Sequence, residues 1–164
     1  MGSFLRYAVP GILLALLLGG CSAPDIPVIS SVKNLPIIGG KHVKREYFAN
    51  GQVRSEFYMD DESGKNGTLK TYGLDGKLIS VATIRNGVKD GIETWYDKQG
   101  RILMKVPYEN GRKNGVQTAY YANGEPMITY TYVRGIKEGP AVVYNKDGSI
   151  ARKMIFHHGR LIQE

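Results

Sequence analysis

The sequence predicts an all-β fold: a single-layer antiparallel meander of tandem β-hairpin repeats, each about 24 residues long. Three observations predict it. Glycines recur every 24 residues in three columns, Gly76-Gly100-Gly124-Gly148, Gly87-Gly111-Gly135-Gly159 and Gly67-Gly91-Gly115-Gly139. Tyrosines keep the same step at Tyr72, Tyr96, Tyr120 and Tyr144, with Tyr47 before Gly51 as a displaced earlier copy. Asn-Gly and Asp-Gly pairs, such as Asn86-Gly87, Asp75-Gly76 and Asn110-Gly111, punctuate short apolar runs. These pairs accept positive φ without steric cost and are the strongest short-range hairpin signal.

The unit from Gly91 to Asn114 shows the elements in order. Ile92 to Tyr96 is a short run of β-branched and aromatic residues, and Asp97-Lys98-Gln99-Gly100 makes a turn. A longer run follows from Arg101 to Tyr108, ending at Asn110-Gly111. Runs this short do not hold helices in water, and glycine would interrupt them. The long strand alternates with period two, so Ile102, Met104, Val106 and Tyr108 share a face. The matching sets are Leu78, Ser80, Ala82 and Ile84; Pro126, Ile128, Tyr130 and Tyr132; and Ile150, Arg152, Met154 and Phe156. That face is expected to be buried, and the opposite one, with Arg101, Lys105, Lys77, Glu125 and Lys153, to be wet. Stacked repeats bury a continuous strip that one repeat cannot bury alone.

The chain divides into three parts. Residues 1–20 carry a positive n-region (Arg6), an apolar h-region from Val9 to Leu18, and small residues after it. The h-region is about ten residues, half of what a bilayer span needs, so the segment reads as a secretory signal. The chain's one cysteine closes it, in Leu18-Gly19-Gly20-Cys21. That sequence resembles a bacterial lipobox, which implies lipidation of Cys21 and attachment to a membrane through acyl chains. By the same resemblance, Ser22 implies sorting to the periplasmic face of the outer membrane in a diderm cell. Residues 21–45, with Pro24, Pro27, Pro36 and Gly39-Gly40, are expected to be a tether. Residues 46–164 form the array of about five units. Its first unit is atypical, with Gly64-Lys65-Asn66-Gly67 one residue short and Asp60-Asp61-Glu62-Ser63 as an acidic loop, as suits a capping repeat. In the last unit, Arg152, Lys153, His157, His158 and Arg160 place charge where edge-to-edge pairing must be discouraged.

The pattern Tyr-x-x-x-Gly, strand, Asn-Gly, Gly-x-Lys-x-Gly resembles the bacterial MORN-repeat-variant proteins. It is clearest from Tyr96-Asp97-Lys98-Gln99-Gly100 to Asn110-Gly111-Arg112-Lys113-Asn114-Gly115, and covers about residues 46–164. Members are commonly labelled antitoxins of the YwqK type, and other MORN arrays act as interaction scaffolds or lipid-proximal modules. The resemblance implies the repeat fold and an interaction role. Tyrosine dominates the aromatic positions here, and Trp95 is the one tryptophan.

The residues offer no catalytic constellation, so the chain is read as a non-enzyme without cofactor or metal. Neither Gly-x-Ser-x-Gly nor His-Glu-x-x-His occurs, and the glycines fall at strand turns rather than at a strand-to-helix junction. His157 and His158, taken as neighbours on one strand, point to opposite faces and cannot share a metal. Glu93 with Asp97 or Glu109 is the nearest thing to paired carboxylates; turn hydration explains such residues equally well.

Two columns are candidate binding surfaces. Tyr72, Tyr96, Tyr120 and Tyr144 stack on one face, either as core or lining a groove for a peptide or sugar. Lys65, Lys89, Lys113 and Lys137 fall one per glycine turn, spaced about 10 Å along one edge. They are either solvated turn residues or a cationic row toward lipid headgroups or an acidic partner. A net charge of +7 favours anionic partners, and export disfavours nucleic acid. The expected function is a lipid-anchored envelope protein whose array binds or scaffolds another envelope protein; the alternative is an antitoxin or immunity protein acting at the membrane.

Overall fold

The computed structural model describes residues 36–164. Residues 1–20, Cys21 and most of the tether lie outside the described residues. Fourteen strands form one antiparallel sheet, with no helix among the described residues. The first are β1 (Ile37–Ile38), β2 (Lys41–Tyr47), β3 (Val53–Met59), β4 (Gly67–Tyr72) and β5 (Leu78–Arg85). The middle holds β6 (Val88–Lys89), β7 (Gly91–Tyr96), β8 (Ile102–Glu109), β9 (Arg112–Lys113) and β10 (Gly115–Tyr120). The last are β11 (Pro126–Val133), β12 (Ile136–Tyr144), β13 (Ile150–His157) and β14 (Arg160–Gln163). The strands pair in sequence order, with β6 and β9 as short lead-ins beside β5 and β8. The expected single-layer meander is thus the observed one.

Two turns alternate along it. The first is a three-residue loop, a type I turn closed by a glycine at positive φ. Its hydrogen bonds repeat: Gly76 N–H to the Gly73 carbonyl and Gly73 N–H to that of Lys77, then Gly100 to Asp97 and Asp97 to Arg101. The same pair recurs at Gly51, Gly124 and Gly148. The second is a type I′ turn with both central residues left-handed, as at Asn86 (φ 52°) and Gly87 (φ 82°). Arg134 (φ 50°) and His158 (φ 48°) hold the Asn position in the last two units.

Each residue of the tyrosine column sits at a register shift: Glu46/Tyr47, Thr71/Tyr72, Trp95/Tyr96, Ala119/Tyr120 and Val143/Tyr144. The irregularity at each position is a β-bulge or its equivalent, which bends and twists the ladder locally. It also corrects one expectation. Leu78, Ile102, Pro126 and Ile150 oppose the shifted tyrosines and leave the alternation, and Ile102 and Ile150 are exposed.

Beyond those first positions the expected face is the packed one. Cross-strand partners Phe57, Leu69 and Ala82 share it, as do Met59, Gly67 and Ile84. Phe57, Met59 and Ile84 form a buried cluster with Leu69 against it. Val106, Ala141 and Met154 continue the strip, together with buried Ser55, Ser80 and Glu93. Arg152, placed on this face by its register with Val143, is exposed. The opposite face is less polar than expected: Ile92 and Val116 are exposed on it beside Thr94, Lys105 and Thr118.

The sheet also begins earlier than the tether was expected to end. Ile37 pairs with His42, and β2 is a full strand against β3. Lys41 bonds Asp60 and Arg45 bonds Glu56, so these two cations belong to the sheet rather than to a spacer.

Candidate functional site

The lysine column is the site's backbone. Residues Lys89, Lys113 and Lys137 pair with Ile84, Tyr108 and Tyr132, so all three side chains join the packed face. Their carbonyls tie successive units together. Gly87 N–H donates to the Lys65 carbonyl, and Gly111, Gly135 and Gly159 donate to those of Lys89, Lys113 and Lys137 at 2.7 to 2.9 Å. The residue after each lysine caps the same turn through its side chain. Asn66 Oδ1 accepts from the Asn86 N–H, Asp90 Oδ2 from Asn110, Asn114 Oδ1 from Arg134 and Glu138 Oε2 from His158. This capping column was legible as a polar residue every 24 positions, but its partners lie 20 residues on and only the pairing reveals them.

The lysine side chains do not stand out as a wet edge row. Lys89 Nζ donates to Glu93 Oε1 at 2.7 Å and lies 5.1 Å from the Tyr108 ring centroid. Lys113 Nζ donates to Gln117 Oε1 at 2.9 Å and lies 4.9 Å from the Tyr132 ring. Lys137 Nζ lies 3.8 Å from the Tyr130 ring and 5.1 Å from that of Phe156. Each ammonium is thus seated over an aromatic ring on the next long strand, an electrostatic attraction that strengthens as water is excluded. The position four residues after each lysine falls from carboxylate to amide to methyl: Glu93, Gln117, Ala141. Lys65 differs, being exposed in the shortened first turn.

Burial shapes the electrostatics. Desolvation lowers the Lys113 pKa; the Glu93 charge opposes that shift, while Lys137 and Lys89 reinforce it. The Lys137 pKa is lowered by desolvation alone. Burial and the nearby Glu93 charge push the Tyr108 hydroxyl well above its ordinary value. Glu93 is 3% exposed, and its Oε2 has no hydrogen-bond partner.

The tyrosine column lies on the other face. Tyr72 donates to Glu56 Oε2 at 2.8 Å, as does Tyr58, and Arg45 Nε donates to Oε1. The Tyr120 ring sits 5.9 Å from Lys105 Nζ. Alternation puts Tyr96 and Tyr144 on that same face, and all four tyrosines are half-buried at their bulges rather than in a core. Tyr72 and Tyr96 each border a shallow surface hollow of the first-turn loops, with Glu56 and with Ile79 respectively. The two candidate columns therefore mark opposite surfaces and do not combine into one groove.

The carboxylates do not pair with each other: Asp97 bonds Arg101 and Glu109 accepts from Asn114. The histidines reverse an expectation. His157 ends β13, but His158 is in the type I′ turn, where strand alternation no longer applies. Their rings lie 4.0 Å apart on the same side, both beside Glu138.

The fold and this ladder define a tandem β-hairpin repeat protein. Two adjacent segments, residues 89–110 and 113–134, match the family model described as MORN repeat variant. No curated protein matches the chain. Among solved structures it is similar to a chain in the crystal structure of the GtfA/B complex bound to UDP and GlcNAc, at 14% identity and a TM-score of 0.35. The likeness covers 83% of this chain and 28% of that one.

Proposed function

We propose that this chain is a lipid-anchored envelope protein whose packed-face lysine ladder docks an acidic segment of a protein partner. MORN repeats generally serve as protein- or membrane-interaction modules, and the two matched repeats carry Lys89 and Lys113. The observation that carries the reading is the graded ladder itself. Lys89 has a carboxylate partner and Lys113 an amide, while Lys137 rests on Tyr130 and Phe156 beside Ala141. A partner carboxylate arriving at Lys137 completes the series and adds a charge-assisted hydrogen bond on an aromatic bed. The net charge of +7 steers such a partner toward the sheet. The anchor rests on Cys21 and its resemblance to a lipobox.

Two measurements test this. Pull-down from native membranes with wild type and with Lys113→Gln/Lys137→Gln separates docking from background. Recovery of the same proteins by both contradicts the ladder's role. Labelling with radioactive palmitate compares wild type with Cys21→Ser, and equal incorporation contradicts the anchor.

A further inference from the structure

Glu138 is a glutamate in a capping column that elsewhere holds Asn66, Asp90 and Asn114. The longer side chain reaches two groups. Oε2 accepts from the His158 backbone N–H at 2.8 Å, and Oε1 stands 2.7 Å from His157 Nδ1. His158 Nδ1 is 3.7 Å from Oε2. The positions matching the two histidines are Arg85-Asn86, Glu109-Asn110 and Val133-Arg134 in the earlier units. Two imidazoles and a carboxylate therefore meet in this turn and, among the described residues, in no other. One ligand atom from each of the three lies within 4.8 Å of the others.

We propose that Glu138, His157 and His158 form a surface site for a divalent transition metal of the zinc, nickel and copper class. Two imidazole nitrogens with one carboxylate oxygen suit these borderline ions, whereas calcium and magnesium take oxygen donors. In a tetrahedral zinc site the ligand bonds are about 2.0–2.1 Å, which spaces the donor atoms about 3.3 Å apart. His157 Nδ1 and Glu138 Oε1 part by a few tenths of an ångström to reach that spacing. The third donor, from His158, lies within 4.8 Å of the other two, so its side chain swings in by up to about 1.5 Å. These are side-chain rotations of two exposed histidines about a half-buried Glu138, while the backbone beneath is held by the type I′ turn and by the Gly159 N–H to Lys137 carbonyl bond at 2.9 Å. A metal on His157 Nδ1 takes that nitrogen's lone pair, so the neutral imidazole carries its proton on Nε2 in the bound form. Three protein ligands leave a coordination position open to water or to a donor from another molecule.

The test uses untagged full-length protein in detergent, titrated with cobalt(II) in visible absorption and with zinc(II) by calorimetry. The double variant His157→Val/His158→Asn installs residues the same positions carry at Val133 and Asn110, so the turn keeps its conformation. Glu138→Gln keeps an acceptor for the His158 N–H and removes the anionic ligand. The expected result is saturable binding of one ion per chain with ligand-field bands. Glu138→Gln weakens that binding and the double variant abolishes it, with unchanged circular dichroism. Absence of saturable binding in the wild type, or undiminished binding by the double variant, overturns the proposal.

Discussion

Lys137 Nζ stands 3.8 Å from the centroid of the Tyr130 ring, the shortest cation-to-ring distance on the sheet among the described residues. The same ammonium faces Phe156, and Tyr130 meets Phe156 edge-on at 5.9 Å. A double-mutant cycle of Lys137→Met with Tyr130→Leu, read by urea unfolding, isolates that contact. The expected coupling is about 0.5–2 kcal/mol, the span from exposed to desolvated cation–π pairs. Additivity within error removes the contact from the account of the ladder.

Acid weakens the first unit through Glu56. Burial alone raises a carboxyl pKa, but hydrogen bonds from Tyr72, Arg45 and Tyr58 outweigh it and hold Glu56 below its ordinary value of 4.5. A depressed folded-state pKa means stability that is present above the unfolded value and lost as pH falls through the folded one. The N-terminal hairpins are expected to loosen below about pH 4.5. Glu56→Gln should flatten that part of the stability–pH curve. Hydrogen exchange at β2, β3 and β4 between pH 6 and pH 3 checks it.

Two glycines of one column carry different loads. A Cβ at Gly67 would lie 2.1 Å from the Tyr58 carbonyl oxygen and 2.9 Å from the Phe57 ring, so the strand needs the missing side chain. At Gly139 nothing lies within 4 Å, and the constraint is its φ of +84°. Gly67→Ala is expected to cost about 3 kcal/mol by overpacking against backbone. Gly139→Ala is expected to cost about 1–2 kcal/mol, the left-handed penalty. Equal costs by thermal or urea unfolding contradict this division.

The repeat period, the antiparallel meander and the packed face were legible because each rests on local chemistry. Asn-Gly pairs dictate the turns, and alternation along Leu78–Ile84 or Ile102–Tyr108 dictates the face. The bulge at every tyrosine was not legible, since a register shift depends on both strands at once. It carried Ile102 and Ile150 out of phase. The lysines were misplaced for a related reason. Gly-x-Lys-x-Gly looks like a loop, yet the turn proper is Asn-Gly, and Lys89, Lys113 and Lys137 are already strand residues facing Ile84, Tyr108 and Tyr132. Alternation alone puts Tyr108, Tyr130, Tyr132 and Phe156 on that face, and only the strand pairing sets the lysines beside them. His158 escaped because adjacent residues on a strand alternate, and it lies one residue past the strand.

The most direct test of the docking face is site-specific photocrosslinking in native membranes, with p-benzoylphenylalanine placed at Tyr132 on the lysine face and at Tyr96 on the other. Docking on the lysine face gives a discrete protein adduct from position 132, weakened by Lys113→Gln/Lys137→Gln, and little from position 96. Adducts confined to position 96, or none from position 132, would contradict it.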